Sequence, residues 1–278
     1  MRDVGVVIVT WHSASTIEAC LRSIPAGMAV VVVDNGSRDE TLDLVSKVRP
    51  DATLLPQGEN LGFGAACNLG AKALGTRDIL LLNPDAALES GTLEALSDHL
   101  CASPKVGVVG PAIYDAKDAL ELSWGSDPSL ISEWRRARAH AKGVAEHPAS
   151  GPVDWVTGGC CLIRREAWDA IGGFDTRFFL YFEDLDLCRR ARKAGYHVAY
   201  VPETSARHIR GVSARQLGTR TERYYRASQL FYYGKYASRA EQLGLRCYLV
   251  LKYAIKAMRA PRHASDYLAI LRASLQGA

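Results

Sequence analysis

Short runs of β-branched and aliphatic residues alternate with segments whose apolar positions recur every three or four residues through the first hundred positions. Val4–Thr10, Val30–Val33, Thr53–Leu55 and Ile79–Leu82 predict strands. Ser15–Ile24, Asp39–Val48, Leu61–Leu74 and Ser90–Leu100 predict the helices between them, with Ser15, Asp39 and Ser90 as candidate N-caps. This βαβα rhythm calls for a mostly parallel central sheet flanked by helices on both faces. Four consecutive valines at 30–33 are apolar on both faces, as a central strand requires.

Residues 1–110 therefore form an expected doubly wound half-domain, and the pattern changes after it. Val106–Val109 predicts another strand, Ser132–Lys142 is rich in Trp and Arg, and Gly143–Pro152 has the composition of an exposed loop. A second ordered block begins at Val153. It holds a strand at Cys160–Ile163, a helix at Arg165–Ile171, the aromatic run Phe178–Phe182, a helix at Asp184–Ala194 and a strand at His197–Val201. Beyond Gly211 the strand signals stop, and Thr219–Tyr236 and Ala240–Met258 predict helices. The expected organisation is a domain over 1–211, split at 110, followed by a helical extension over 212–278.

Charge sharpens that division. The net charge of the 278 residues is +4, yet residues 1–206 carry 20 Lys and Arg against 27 Asp and Glu, whereas residues 207–278 carry 14 against 3. Seven scattered cysteines show no C-x-x-C or Cys/His ligand spacing, which argues against a disulfide framework or a zinc site and fits a reducing cytoplasm. The start, Met1-Arg2-Asp3 before a short apolar run, lacks the basic region of a signal peptide and the length of a membrane span.

The candidate chemistry sits at strand ends. Val33-Asp34-Asn35-Gly36-Ser37 places a carboxylate at the carboxyl edge of the sheet, where it either contacts a nucleoside or closes an Asx turn. Gly62, Gly64 and Gly70 make a glycine-rich entry to a helix, without the spacing of a dinucleotide fingerprint or a P-loop. Asn83-Pro84-Asp85 stops the fourth strand and projects a second acid over the same edge, a pairing that suits a hard cation and a diphosphate. Glu183, Asp184 and Asp186 crowd a helix start behind an apolar lead-in, so the helix dipole lowers and burial raises the pKa of a candidate general base. His208 follows a predicted strand that returns from this helix, and its ring is a candidate metal contact.

Six segments in order resemble the family 2 glycosyltransferases, and bacterial rhamnosyltransferases in particular, over roughly residues 4–211. They are Ile8–Trp11, Val33–Ser37, Asn60–Gly64, Leu82–Asp85, Trp155–Gly159 and Tyr181–Cys188. The resemblance implies a GT-A fold, a Rossmann-like nucleotide-diphospho-sugar transferase architecture, and inverting transfer from a nucleotide sugar. It implies a donor site of Thr10, Asp34, Asn35, Gly36, Asn60, Gly62, Asn68, Asn83 and Asp85. Asp184 is implied as the catalytic base, with Glu183 and Asp186 supporting it, and Asp85 and His208 as holders of Mg2+ or Mn2+. Asn83 stands where the family's D-x-D pattern has its first acid, which leaves one carboxylate for the cation. Trp155, Gly158 and Gly159 form a candidate acceptor platform, and Arg164, Arg165, Arg189 and Arg190 candidate contacts to an acceptor diphosphate.

By likeness, the expected donor is dTDP-rhamnose and the acceptor a saccharide or polyprenyl-diphosphate-linked saccharide of cell-surface polysaccharide synthesis. Two other classes compete. A sugar nucleotidyltransferase needs a glycine-rich, basic loop after the first strand, where this chain has Trp11-His12-Ser13-Ala14-Ser15, and a non-catalytic carbohydrate module has no use for the run of acids at 183–186. Tyr224, Tyr225, Phe231, Tyr232, Tyr233, Tyr236, Tyr248 and Tyr253, interleaved with Lys and Arg, allow three readings, ordinary packing, nucleic-acid binding or docking on anionic lipid, and favour a peripheral surface for an anionic membrane.

Overall fold

Alternation within the apolar strands decides the layering. The computed structural model describes residues 3–75, 77–130, 132, 150–208, 219–259 and 264–276. In β1 (Val4–Thr10) and β2 (Ala29–Asp34), Val6, Ile8, Val30 and Val32 face one core while Val7, Val9, Val31 and Val33 face another. The first core is closed by α1 (Ile17–Ser23), α2 (Thr41–Val48) and α4 (Thr92–Ala102). The second is closed by α3 (Phe63–Ala73), α5 (Arg165–Ile171) and α6 (Glu183–Lys193).

The nine-stranded sheet adds β3 (Thr53–Pro56), β4 (Asp78–Leu82), β5 (Ala86–Leu88), β6 (Val106–Tyr114), β8 (Gly151–Val153), β10 (Cys160–Ile163) and β11 (His197–His208). Its order is β3-β2-β1-β4-β10-β6-β11-β5, with β8 beside β11. β1, β2, β3 and β4 run parallel, as do β6 and β11, while β10 runs antiparallel between β4 and β6. A two-stranded ribbon of β7 (Trp124–Gly125) and β9 (Trp155–Val156) lies beside it. Chain order reverses at β1, and the carboxyl ends of β1, β2 and β4 open there, the place where ligands of open α/β sheets bind.

The elements expected from periodicity are present, but the short strands β5, β7, β8 and β9 are not predicted by the pattern, and three further differences stand out. The helices begin one or two residues later than Ser15, Asp39 and Ser90, at caps Thr16, Glu40 and Gly91 that make no side-chain cap hydrogen bond. The last strand runs to His208 rather than Val201, because a register shift between Val201 and Ser205, spanning Pro202, breaks the pattern without ending the strand. A helix absent from the sequence reading, α9 (Ala264–Gln276), packs on α7 (Thr219–Tyr236) and α8 (Arg239–Arg259). The Trp/Arg-rich stretch and its following loop lie mostly, and the boundary expected near 211 wholly, outside the described residues.

The C-terminal helices build a third core against the lead-in to α6, where Phe178 and Phe182 pack with Tyr232, Tyr233, Leu245, Leu249 and Tyr253. Most aromatics expected at a membrane surface are spent here. Tyr232, Tyr233 and Tyr253 are buried, and Phe231, Tyr224 and Tyr225 stack on Phe178, Phe179 and Phe182; Tyr248 alone of the set stands well exposed. Among the described residues no helix is long and apolar enough to cross a membrane.

Candidate active site

A cleft of about 580 Å3 opens over the carboxyl ends of β1 and β4 and is bounded by the start of α6. Thr10, Asn35, Asn60, Gly62, Asn83, Asp85, Trp155, Gly158, Gly159, Glu183, Asp184 and His208 all line it. Segments up to 198 residues apart in sequence thus meet in one volume of the size small-ligand sites have.

The donor end is set by β1 and β2. Asp34 itself does not face the cleft: its carboxylate accepts the Thr10 hydroxyl at 2.7 Å, the Ser37 hydroxyl at 2.5 Å and the Ser37 amide at 2.8 Å. The Asx-turn alternative therefore describes its hydrogen bonding. Gly36, at φ +80°, allows the sharp exit but does not line the cavity. What this turn presents is Asn35, whose Nδ2 donates to the Gly62 carbonyl at 3.3 Å while Oδ1 is buried without a partner on the cleft wall. Gly62 is required by packing: at φ +85°, an added Cβ would stand 2.5 Å from the Phe179 carbonyl oxygen. Asn60 fixes that loop by accepting the Gly62 amide at 2.9 Å.

Asn68 departs from expectation. Its side chain both accepts the Phe174 amide at 2.8 Å and donates to the Phe174 carbonyl at 3.0 Å, and it does not line the cleft.

The run of acids divides. Asp184 lies half-buried in the cleft, accepting the Gly158 amide at 3.1 Å on Oδ2 and the Leu185 amide at 2.9 Å on Oδ1. Burial raises its pKa above the ordinary value, against those amides and the Thr157 hydroxyl. Glu183 is buried beside it with Oε2 unpartnered, and burial followed by the Asp184 charge pushes its carboxyl well above the usual range. The pair titrates as a unit in which Asp184, with its amide donors, is the better home for the one negative charge. Asp186 points away instead. It is fully buried and held by Arg190 at 2.6 Å, Lys235 at 2.5 Å and the Tyr236 hydroxyl at 2.7 Å, which locks α6 to α7. It does not touch Asp184's side of the helix, because residues two apart lie on opposite faces.

Two positive-φ residues, Tyr181 at 70° and Phe182 at 66°, turn the chain into α6. Bulky side chains seldom adopt this conformation. The C-terminal layer holds it in place: Ser228 donates to the Leu180 carbonyl at 2.8 Å, and Tyr225 packs on both rings.

At the opposite wall, His208 bridges two acids, with Nε2 3.0 Å from Asp85 Oδ1 and Nδ1 3.0 Å from Glu121 Oε2. Burial would lower the imidazolium pKa, but the hydrogen bonds and charges of Asp85 and Glu121 outweigh it and raise it to about 9. Among the described residues no cluster of three or more metal-ligating side chains is assembled. Asp85 and His208 offer one carboxylate and one imidazole 3.0 Å apart, about the separation of neighbouring ligand atoms around an octahedral ion with bonds of about 2.1 Å. That donor set fits a Mg2+ or Mn2+ that keeps waters and takes phosphate oxygens for its remaining positions.

The acceptor-side candidates also separate. Gly158 and Gly159 frame the cleft floor; a Cβ on Gly158 would press on Phe63 at 3.2 Å, and one on Gly159 on Asn83 at 3.2 Å. Trp155 forms wall rather than platform, since it is 5% exposed and its indole N–H donates to the Ser126 carbonyl at 3.0 Å. The four arginines are committed elsewhere. Arg164 donates to the Leu100, Ser103 and Val106 carbonyls, Arg165 to those of Arg77 and Ala71, Arg190 to Asp186, and Arg189 pairs with Asp127 at 3.4 Å. Glu121, Thr157 and Tyr225 were not anticipated. The alternation Leu120-Glu121-Leu122 was the only trace of the first of them.

A mixed, mostly parallel sheet whose carboxyl edge presents a nucleotide-sized cleft with acids on opposing walls defines a nucleotide-sugar transferase of the GT-A class. Residues 2–227 match the family described as "Glycosyltransferase like family 2", and the chain belongs to that family. It is 34% identical over 236 residues, 75% of this chain and 76% of the relative, to the N-acetylglucosaminyl-diphospho-decaprenol L-rhamnosyltransferase of Mycobacterium tuberculosis. Two solved structures share the fold. One is GalNAc-T7 with UDP, GalNAc and Mn2+, at TM-score 0.59 and 15% identity over 82% of this chain and 47% of that one. The other is the mannosyltransferase PcManGT of Pyrobaculum calidifontis with GDP-Man and Mn2+, at TM-score 0.56 and 20% identity over 99% and 70%.

Proposed function

We propose that this glycosyltransferase transfers L-rhamnose from dTDP-rhamnose, with inversion, to a hydroxyl of a saccharide carried on a polyprenyl diphosphate. The observation that carries the mechanism is Asp184, a carboxylate free of any cation among the described residues, facing the same cleft as Asp85 and His208. The choice of sugar and acceptor is supported by the 34% identity to the mycobacterial rhamnosyltransferase.

Transfer builds negative charge on the departing diphosphate and requires the attacking hydroxyl to lose a proton. Asp85 and His208 would hold the divalent cation, which would supply positive charge against the first of these. Asp184 accepts the proton, oriented by the amides of Gly158 and Leu185. Burial and the Asp184 charge push the Glu183 carboxyl well above the usual range, which disfavours a second negative charge beside Asp184. Asn35, held by the Thr10–Asp34–Ser37 turn, offers its unpartnered oxygen to an N–H of the base. Direct displacement leaves no role for a protein nucleophile.

The acceptor places the enzyme peripherally on the inner face of the cell membrane. α8 carries the surface for it: Leu243, Cys247, Leu251 and Met258 recur at helical spacing on the solvent side, with Arg246 and Lys252 bordering them and exposed Arg239 and Arg259 at the ends. Cations on both borders suit anionic headgroups and would repel each other across a two-fold contact with a second copy.

The deciding experiment supplies purified protein with a synthetic N-acetylglucosaminyl-diphospho-polyprenol, Mg2+ and either dTDP-rhamnose or UDP- and GDP-hexoses. Product from dTDP-rhamnose at a kcat/KM at least tenfold above the others is expected; preference for another donor overturns the sugar, and pyrophosphate release from a nucleoside triphosphate overturns the transferase reading.

A further inference from the structure

We infer that Glu121 is a positioning residue for the cation site: it takes the Nδ1–H of His208, so that when a cation replaces the proton shared between Nε2 and Asp85, it is Nε2 that faces the ion. The inference rests on reading Asp85 and His208 as the cation's protein ligands. Glu121 sits on the far side of the imidazole from Asp85, so the ring stands between the two carboxylates and Glu121 cannot reach an ion held at Nε2. Its chemistry is therefore that of the carboxylate–imidazole–metal arrangement, in which the outer acid selects the tautomer, fixes the ring plane and raises the basicity of the ligating nitrogen.

Each partner is placed by backbone rather than by a loose loop. Glu121 ends a hairpin whose return leg is tied to β6, with its amide donating to the Ile113 carbonyl at 2.7 Å and Leu120 bridged to Tyr114. The turn of that hairpin is fixed by Asp115, whose Oδ1 accepts the amides of Lys117 and Ala119. His208 pairs with Ala86 of β5, the residue directly after Asp85, and its neighbour Arg207 pairs with Tyr114 of β6. Three segments distant in sequence thus carry Asp85, His208 and Glu121 in line. The three side chains are 9%, 15% and 8% exposed. A carboxylate so buried is costly unless a donor meets it, and the imidazole N–H is such a donor.

The test is Mn2+ binding, followed by electron paramagnetic resonance in the presence of dTDP, on the parent and on Glu121→Gln, Glu121→Leu, Asp85→Asn and His208→Ala, with thermal midpoints measured alongside. Glu121→Leu is expected to weaken Mn2+ by 10- to 100-fold. Glu121→Gln, which keeps an oxygen acceptor for Nδ1–H but not the charge, is expected to recover part of that loss. A role in folding alone would lower the midpoint of both variants and leave Mn2+ affinity within threefold, and that result overturns the inference. Should Glu121→Leu fail to fold, the Gln variant decides: a fall of more than threefold in Mn2+ affinity supports the assignment, and parental affinity overturns it. Loss of Mn2+ binding in Asp85→Asn and His208→Ala with both Glu121 variants at parental affinity removes Glu121 only. Parental affinity in all four variants removes the cation site itself.

Discussion

The first turn of α6 carries acids with opposite fates, and the contrast separates the cleft from the joint behind it. On the cleft side, Glu183 and Asp184 are met by amides and a hydroxyl and by no cation among the described residues, so burial raises both carboxyl pKa values. On the joint side, Asp186 is surrounded by Arg190, Lys235 and Tyr236, while Asp175 is gripped by Arg177 and Lys235. A buried carboxylate that lacks a cation remains able to take up a proton, whereas one with cations becomes a fastener. Chemistry and mechanical support therefore occupy the two faces of a single helix start.

The strongest way to break this division is Asp184→Asn. Transfer is expected to fall by about 10²- to 10⁴-fold while dTDP affinity, measured by calorimetry, stays within a fewfold of the parent. Full activity would remove the base assignment. Next comes Asp186→Ala, which leaves Lys235 and Arg190 facing each other without their shared acid and should cost about 3–5 kcal/mol in urea unfolding. A smaller loss would mean that α7 is held by its aromatic contacts alone.

The cleft side also predicts a pH dependence of rate. Because Asp184 must be ionised to act and its pKa is raised, kcat/KM should decline on the acid side at a pH above the ordinary carboxylate value of about 3.9. The smallest effect belongs to Asp175. The Arg177 hydrogen bond, and then Lys235 against the opposing cost of burial, lowers its pKa below the unfolded value. Its contribution is present above about pH 4 and is lost as pH falls toward the folded value, so stability measured by urea between pH 6 and 3 should drop more steeply in the parent than in Asp175→Asn.

Much of this was legible in the chain because the parallel core writes itself as strands apolar on both faces. The valine run of β2, apolar on both faces, lies inside the sheet between β3 and β1, one strand in from the edge. Asp186 was misread although its signal was available, since a residue two positions from Asp184 on a helix faces the other way. Asn68 was misread for a related reason: its glycine-rich neighbourhood suggested an approach to phosphate, whereas Gly64 and Gly70 answer to close contacts, with an added Cβ standing 2.9 Å from Phe174 and 2.5 Å from Val7. Glu121 and the full reach of β11 were hidden by local irregularity, a charged hairpin in one case and a bulge at Pro202 in the other. Such features depend on pairing between remote segments, which periodicity does not record. The aromatic and basic tail had the composition of an interface, and packing spent most of its rings on the interior.

The left-handed pair at Tyr181 and Phe182 makes the rear helices a splint. Each such residue stores about 1–3 kcal/mol of backbone strain, and the rings of α7 with the Ser228 hydrogen bond keep that spring compressed. A chain cut short before α7 would therefore keep its sheet yet let the loop recoil, withdrawing the carboxylate from its working position.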